Sequence, residues 1–199
     1  MSLGIKVSDY VKTYKLPSNF CSQALDFISN IDSWRSHNWT NESLGYTRLT
    51  SRDKKEEPLM HVSKDAPLFT DVTASLLEKY YSDFPHSVCS RFTLPKFIKY
   101  TKGMSMKDHT DNITAIFNSY SQHDPKGVPV LSIVGVLKSA KKGGQFFINY
   151  QDGSREEFLT DDGSVVIFPS NFIYRHEVSE ILEGERISFP AGLIFEFSL

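Results

Sequence analysis

The chain has 199 residues, 40% of them hydrophobic and 13% aromatic, enough apolar material to bury one core of ordinary domain size. Its 22 Lys and Arg against 24 Asp and Glu leave a net charge of -2, which argues against a nucleic-acid binder working by bulk electrostatics. The longest apolar run, VPVLSIVGVL, is about half the length of a membrane helix, no secretory signal opens the chain, and Cys21 and Cys89 form no metal-ligand or disulfide pattern.

The expectation is a single domain over residues 1–199, in a reducing, cytoplasmic setting and without a membrane partner. Residues 1 to about 90 read as a helical buttress with loops. Ser18 can cap a helix whose apolar residues Phe20, Ala24, Phe27, Ile28 and Ile31 recur at helical spacing. The polar stretch TNESLGYTRLTSRDKKEEP, about residues 40–58, reads as a solvated loop, with a substrate-contacting loop as the sharper alternative. A second helix is expected after Asp65, with Pro67 in its first turn and Leu68, Val72, Leu76 and Tyr80 along one face. Trp34 and Trp39 are expected to pack the helical layer, and His37, His61, His86 and His123 sit in no ligand spacing.

From about residue 91 the texture changes. Short β-rich runs (SRFTLPKFIKY, VLSIVGVL, GQFFINY, SVVIFP, RHEVSEI, ERISFPAGLIFEF) alternate with the turn clusters KKGG, QDGS and DDGS. Many short strands without intervening helical patterns predict an antiparallel sandwich or barrel. Lys138, Lys141 and Lys142 beside the Gly-Gly turn read as a solvated hairpin end, and residues 118–128 as a connection or a lid.

His109 and Asp111 stand two residues apart in MKDHTDN, so in extended chain both side chains face one side. An H-x-D pair alone is a common chance motif. Its company is not: His176 follows in RHEVSEI, and Arg186 comes ten residues later in GERIS. Two histidines and one carboxylate occupy one face of an octahedral metal and leave three positions open, as in non-haem Fe(II) oxygenases. An Arg in the same barrel offers a planar fork of donors for a distal carboxylate.

With these residues in order, the chain resembles the prolyl 4-hydroxylase-like branch of Fe(II)/2-oxoglutarate dioxygenases. YTKGMSMKDHTDN is similar to the family's Y-x-x-G-x-x-x-x-x-H-x-D segment, and VLSIVGVL, GGQFFI, DGSVVIFPS and RHEVSEILEGERIS follow in family order, over roughly residues 92–190. The resemblance implies a mainly β fold with flanking N-terminal helices, a double-stranded β-helix (a cupin-like jelly-roll barrel). It implies Fe(II) held by His109, Asp111 and His176, the C5 carboxylate of 2-oxoglutarate paired with Arg186, and hydrogen bonds to that cosubstrate from Tyr100 and Ser188. O2 would be the second cosubstrate, with ascorbate as a candidate addition. The implied reaction hydroxylates an aliphatic C–H, on a prolyl or other peptidyl or amino-acid side chain, and releases succinate and CO2. The implied partner is therefore a peptide or small molecule, while oligomeric state stays open. The chain departs from the family at Val136, Leu137 and Lys138, where relatives carry Tyr-Leu-Asn, and at Gln145, where Glu is usual. Oxidative demethylation of alkylated nucleic acid is an alternative, but those enzymes carry a second Arg six residues after the first, and here that residue is Gly192. A non-catalytic cupin-like binding module is the other, although none of its expected losses of a ligand or of the Arg is present.

Overall fold

A computed structural model describes residues 6–37, 57–63, 67–85, 91–93, 96–111, 128–158 and 161–195. The sequence expectations for Trp39, His86, Cys89 and His123, for most of the 40–58 stretch and for nearly all of 118–128 fall outside them.

Besides a 3-10 turn at Val7–Tyr10, two α-helices and fourteen strands follow in chain order among the described residues. They are β1 (Lys12–Lys15), α1 (Phe20–Ser29), β2 (Arg35–Ser36), β3 (Leu59–Val62), α2 (Pro67–Asp83), β4 (Arg91–Phe92), β5 (Lys96–Thr101) and β6 (Met106–His109), then β7 (Val128–Lys138), β8 (Lys142–Gly143), β9 (Phe146–Asn149), β10 (Arg155–Phe158), β11 (Ser164–Pro169), β12 (Arg175–Val178), β13 (Ile181–Glu183) and β14 (Glu185–Phe195). The major sheet runs β1-β11-β7-β14-β5-β3-β2, with β4 also on β14; the minor sheet runs β10-β9-β12-β6; β13 and β8 form a separate pair. Every pairing is antiparallel.

Strand periodicity divides the major sheet into two functional faces. Phe97, Leu131, Ile133, Val165, Ile167, Ile187, Phe189 and Leu193 pack under the helices with Phe20, Ala24, Ile28, Phe69, Leu76, Leu77 and Tyr80. The alternate residues Ile98, Tyr100, Val166 and Phe168 face the minor sheet and pack with Met106, Phe146, Ile148, Phe158 and Val178. The two sheets thus enclose a lumen and form the jelly roll that the sequence predicts, with helices on the outer side of one sheet. Close packing is severe at Gly135, where a Cβ would lie 2.1 Å from Phe189 Cε1.

The N-terminal part differs from its helical expectation. β1 pairs with β11 and β3 with β5, so chain before residue 90 supplies strands on both flanks of the major sheet. Both strands, KTYK and LMHV, are only four residues long, and tertiary pairing supplies what so short a local pattern does not. The first helix has Asn19, not Ser18, at its N-cap, without a side-chain cap bond. Phe27 is 38% exposed on α1, and α2 buries Phe69, Thr73 and Leu77 beside the expected Leu76 and Tyr80, while Leu68 and Val72 pack part-buried against the same core. A fully apolar stripe is wider than a single i, i+4 series, so the pattern located the helix better than its contact line.

Candidate metal centre

The site begins with strand pairing. β6 and β12 are adjacent antiparallel strands of the minor sheet, and His109 is the direct register partner of His176. Their ring centroids are 4.2 Å apart. Met106 pairs with Val178, so β6 advances three residues where β12 advances two, which is a β-bulge. Asp111 lies just beyond β6. Its Oδ1 is 3.7 Å from His109 Nε2 and 3.6 Å from His176 Nε2, and one donor atom from each residue falls within 4.8 Å of the others. Among the described residues, this is the one cluster of His, Cys, Asp or Glu able to hold a metal ion. A divalent ion that accepts imidazole and carboxylate donors would be held by these three residues.

Hydrogen bonds set which atoms face the cluster. A carbonyl oxygen accepts only, so Lys107 O at 2.7 Å from His109 Nδ1 and Tyr174 O at 3.3 Å from His176 Nδ1 place the ring proton on Nδ1 in both residues. Each neutral imidazole then presents its Nε2 lone pair, as a metal ligand must. Burial pushes the His176 pKa down to about 4, outweighing the opposite pull of Asp111, so the ring is neutral at pH 7. Phe168 and Phe146 pack against it, with ring centroids 4.9 and 5.6 Å away. Burial alone would raise the Asp111 carboxyl. The neighbouring His176 and His109 and the Ser132 hydroxyl outweigh it and hold the carboxyl below the usual range.

The Ser132 hydroxyl donates to Asp111 Oδ2 at 2.5 Å and is itself hydrogen-bonded to the buried Ser170 hydroxyl. This chain occupies Oδ2 and leaves Oδ1 for the cluster. Neither serine was singled out from sequence. The available signal was a lone hydroxyl on the lumen side of the apolar run VLSIVGVL. His37 was likewise read as merely structural. It is 9% exposed, and burial, together with the influence of His109 and Lys96, pushes its pKa to about 4, with Asp111 opposing. Its place beside the cluster comes from pairing of β2 with β3, which sequence spacing does not reveal.

From the sequence, the turn at Glu183 and Gly184 is expected to fold the Arg186 strand back beside the strand of His176; Arg186 lies in the same barrel, but not there. Its strand β14 belongs to the major sheet, opposite the ligand strand β12, because β13 intervenes and the chain changes sheets. Arg186 is the register partner of Tyr100 on β5, and the two are 1% and 2% exposed. Burial lowers the Arg186 pKa and drives the Tyr100 phenol well above its ordinary value, with the neighbouring cation opposing the latter shift. Among the described residues, Nε and both terminal nitrogens of Arg186 have no hydrogen-bond partner. A buried guanidinium without an acceptor is costly, and a planar carboxylate satisfies two of its donors at once. Ser188, two residues along β14, is 3% exposed. The Gly-Gly turn lets this wall close: at Gly144 (φ 73°) an added Cβ would meet Ile181 Cδ1 at 2.6 Å and Arg186 Cδ at 3.5 Å. Lys138 and Lys141, expected on a solvated hairpin end, reach Glu185 at 2.6 Å and Glu183 at 3.3 Å.

The donor set and the acceptor-less Arg186 therefore fit Fe(II) with a dicarboxylate cosubstrate. Comparison with known proteins agrees with the chemistry. Residues 95–191 match the model of the 2OG-Fe(II) oxygenase superfamily. No protein of curated function matches the chain significantly. Among solved structures, a Pseudomonas putida prolyl-4-hydroxylase superposes with a TM-score of 0.69 at 16% identity, over 96% of this chain and 98% of that one. The viral collagen prolyl hydroxylase of Paramecium Bursaria Chlorella virus-1, solved with 2OG, gives 0.61 at 13%, over 96% and 99%. A Trichoplax adhaerens prolyl hydroxylase, in complex with a hypoxia inducible factor peptide fragment, gives 0.68 at 12%, over 94% and 84%.

Proposed function

Since this chain is an enzyme of the 2OG-Fe(II) oxygenase superfamily, we propose that it hydroxylates an aliphatic C–H of a prolyl or other peptidyl or amino-acid side chain. In this reading residues 1–199 form one oxygenase domain working in the cytoplasm. His109 and His176 hold Fe(II) through Nε2, and Asp111 holds it through Oδ1. Once bound, Fe(II) would supply, with 2-oxoglutarate and O2 as cosubstrates, the oxidising chemistry that couples decarboxylation to succinate and CO2 with hydroxylation of the C–H.

The rest falls to this chain's own side chains. Arg186 fixes the far carboxylate of the cosubstrate by a two-pronged ion pair, with Tyr100 and Ser188 as hydroxyl donors beside it. The Tyr100 phenol stays protonated at any physiological pH, so it donates and never repels that anion. Val136 carries no hydroxyl where relatives place Tyr, which leaves Tyr100 as the aromatic donor. The Ser170–Ser132 chain keeps Asp111 turned toward the metal. Phe146 and Phe168 keep water from the His176 side of the site.

The observation that carries this reading is the fully buried Arg186 guanidinium, without an acceptor, in the lumen that holds the His-Asp-His cluster. A peptide substrate is supported by the shared fold with the Trichoplax adhaerens enzyme, which holds a peptide fragment. No observation favours a nucleic-acid substrate: Gly192 stands where its second Arg would be, packed on Thr93. Succinate release with Fe(II) and 2-oxoglutarate, followed over proline-containing peptides and free amino acids, is the deciding experiment. Stimulation by at least one proline-containing peptide is expected. Stimulation only by methylated oligonucleotides would overturn the proposal.

A further inference from the structure

We propose that Asp108 is a positioning residue for the metal centre: from outside the barrel it clamps the β6 bulge that turns His109 into the lumen. The inference rests on the reading of His109 and His176 as metal ligands.

Met106 and His109 are three residues apart, and regular alternation would send their side chains to opposite faces. Both nevertheless face inward, opposite Val178 and His176, because Lys107 and Asp108 together oppose one residue of β12. The same bulge supplies the Lys107 carbonyl that receives the His109 Nδ1 proton. Ring direction and tautomer therefore both depend on how the bulge is held, yet a bulge interrupts the ladder that would hold it.

Asp108 provides that hold on the outer face. Its Oδ1 accepts from Asn149 Nδ2 of β9 at 3.0 Å, and its Oδ2 accepts from the Arg175 guanidinium of β12. Arg175 and Asn149 are register partners, and Arg175 immediately precedes His176. The clamp thus joins the strands of both histidines, one residue before each, on the opposite side of the sheet. The exposed flank of the pair, with the Arg175 side chain 53% accessible, limits its worth to overall stability. Its effect belongs in metal affinity, where supporting groups around ligands count for about 10- to 100-fold.

A neighbouring pair gives the control. Arg155 bonds Glu177, the β12 residue that faces the bulge, and lies 3.5 Å from the Phe147 ring centroid, so it ties β10 to β12 on the same outer face through a bond that does not go to Asp108. The experiment titrates the full-length apo protein with Co(II), read by its visible absorption, alongside the thermal midpoint. Asp108→Ala and Arg175→Ala are each expected to weaken Co(II) about tenfold, the double variant no further, and Arg155→Ala to leave affinity unchanged. Equal losses in all three variants, or none, would overturn the clamp. Nitrogen NMR of the His109 ring separates this from the metal reading: should wild type bind no Co(II), that reading fails. The clamp then stands or falls on whether Asp108→Ala abolishes the Nδ1–H tautomer of His109, which it is expected to do; an unchanged tautomer refutes it.

Discussion

Arg186 concentrates the chemistry of the site in one side chain. Its guanidinium has been taken fully out of water, and among the described residues nothing accepts its hydrogen bonds. Arg186→Ala is therefore expected to lose about 2 to 5 kcal/mol of 2-oxoglutarate binding, roughly 30-fold or more, while metal affinity changes little. Calorimetric titration of the metal-loaded protein checks this, and unchanged 2-oxoglutarate affinity would mean that another cation holds the carboxylate. Buried imidazoles give a second expectation at this scale. His176 and His37 have folded pKa values of about 4 against 6.5 for a free imidazole, so the unfolded chain binds more protons between those limits. Their contribution to apo stability is complete above pH 6.5 and falls as pH drops toward 4, by roughly 1.4 kcal/mol per pH unit for each ring. Urea midpoints at pH 7 and 5 should show that loss, and His37→Gln should reduce it; a flat profile would contradict the neutral burial of both rings.

At the scale of elements, what was legible in the sequence followed from periodicity and turn chemistry. The β-rich runs after residue 91 all occur as strands, because alternation with Gly-bearing turns is a local signal. β1 and β3 were not legible, since four-residue strands acquire their state from pairing with β11 and β5. Proximity of His109 to Asp111 follows from i, i+2 spacing, whereas Ser132, Ser170 and His37 reach the cluster only through cross-strand register. The strand of Arg186 was expected beside β12 and lies in the other sheet, since sequence does not show where a chain changes sheets. One packing-sensitive element is the β7–β14 contact under the helices. Gly135→Ala would thrust a methyl into the Phe189 ring, and a cost of about 1 to 3 kcal/mol is expected in urea unfolding. An unchanged midpoint would mean that Phe189 can turn aside without loss.

The whole molecule divides its labour between its two sheets. The minor sheet carries both histidines on adjacent strands, the major sheet carries Arg186 and Tyr100 on adjacent strands, and in the proposed function the lumen between them is where metal and cosubstrate would meet. The helices bury the far face of the major sheet, so ligand residues at the lumen can be exchanged without opening the main core. No helix among the described residues is long and apolar enough to cross a membrane. The most direct measurement is Fe(II)-dependent conversion of 2-oxoglutarate to succinate by wild type and by Asp111→Ala, with the apo thermal midpoint taken in parallel. Asp111→Ala removes the only anion of the cluster and is expected to abolish succinate while the midpoint stays within a few degrees of wild type, about 1 kcal/mol. Full succinate formation by a folded Asp111→Ala protein would contradict the account.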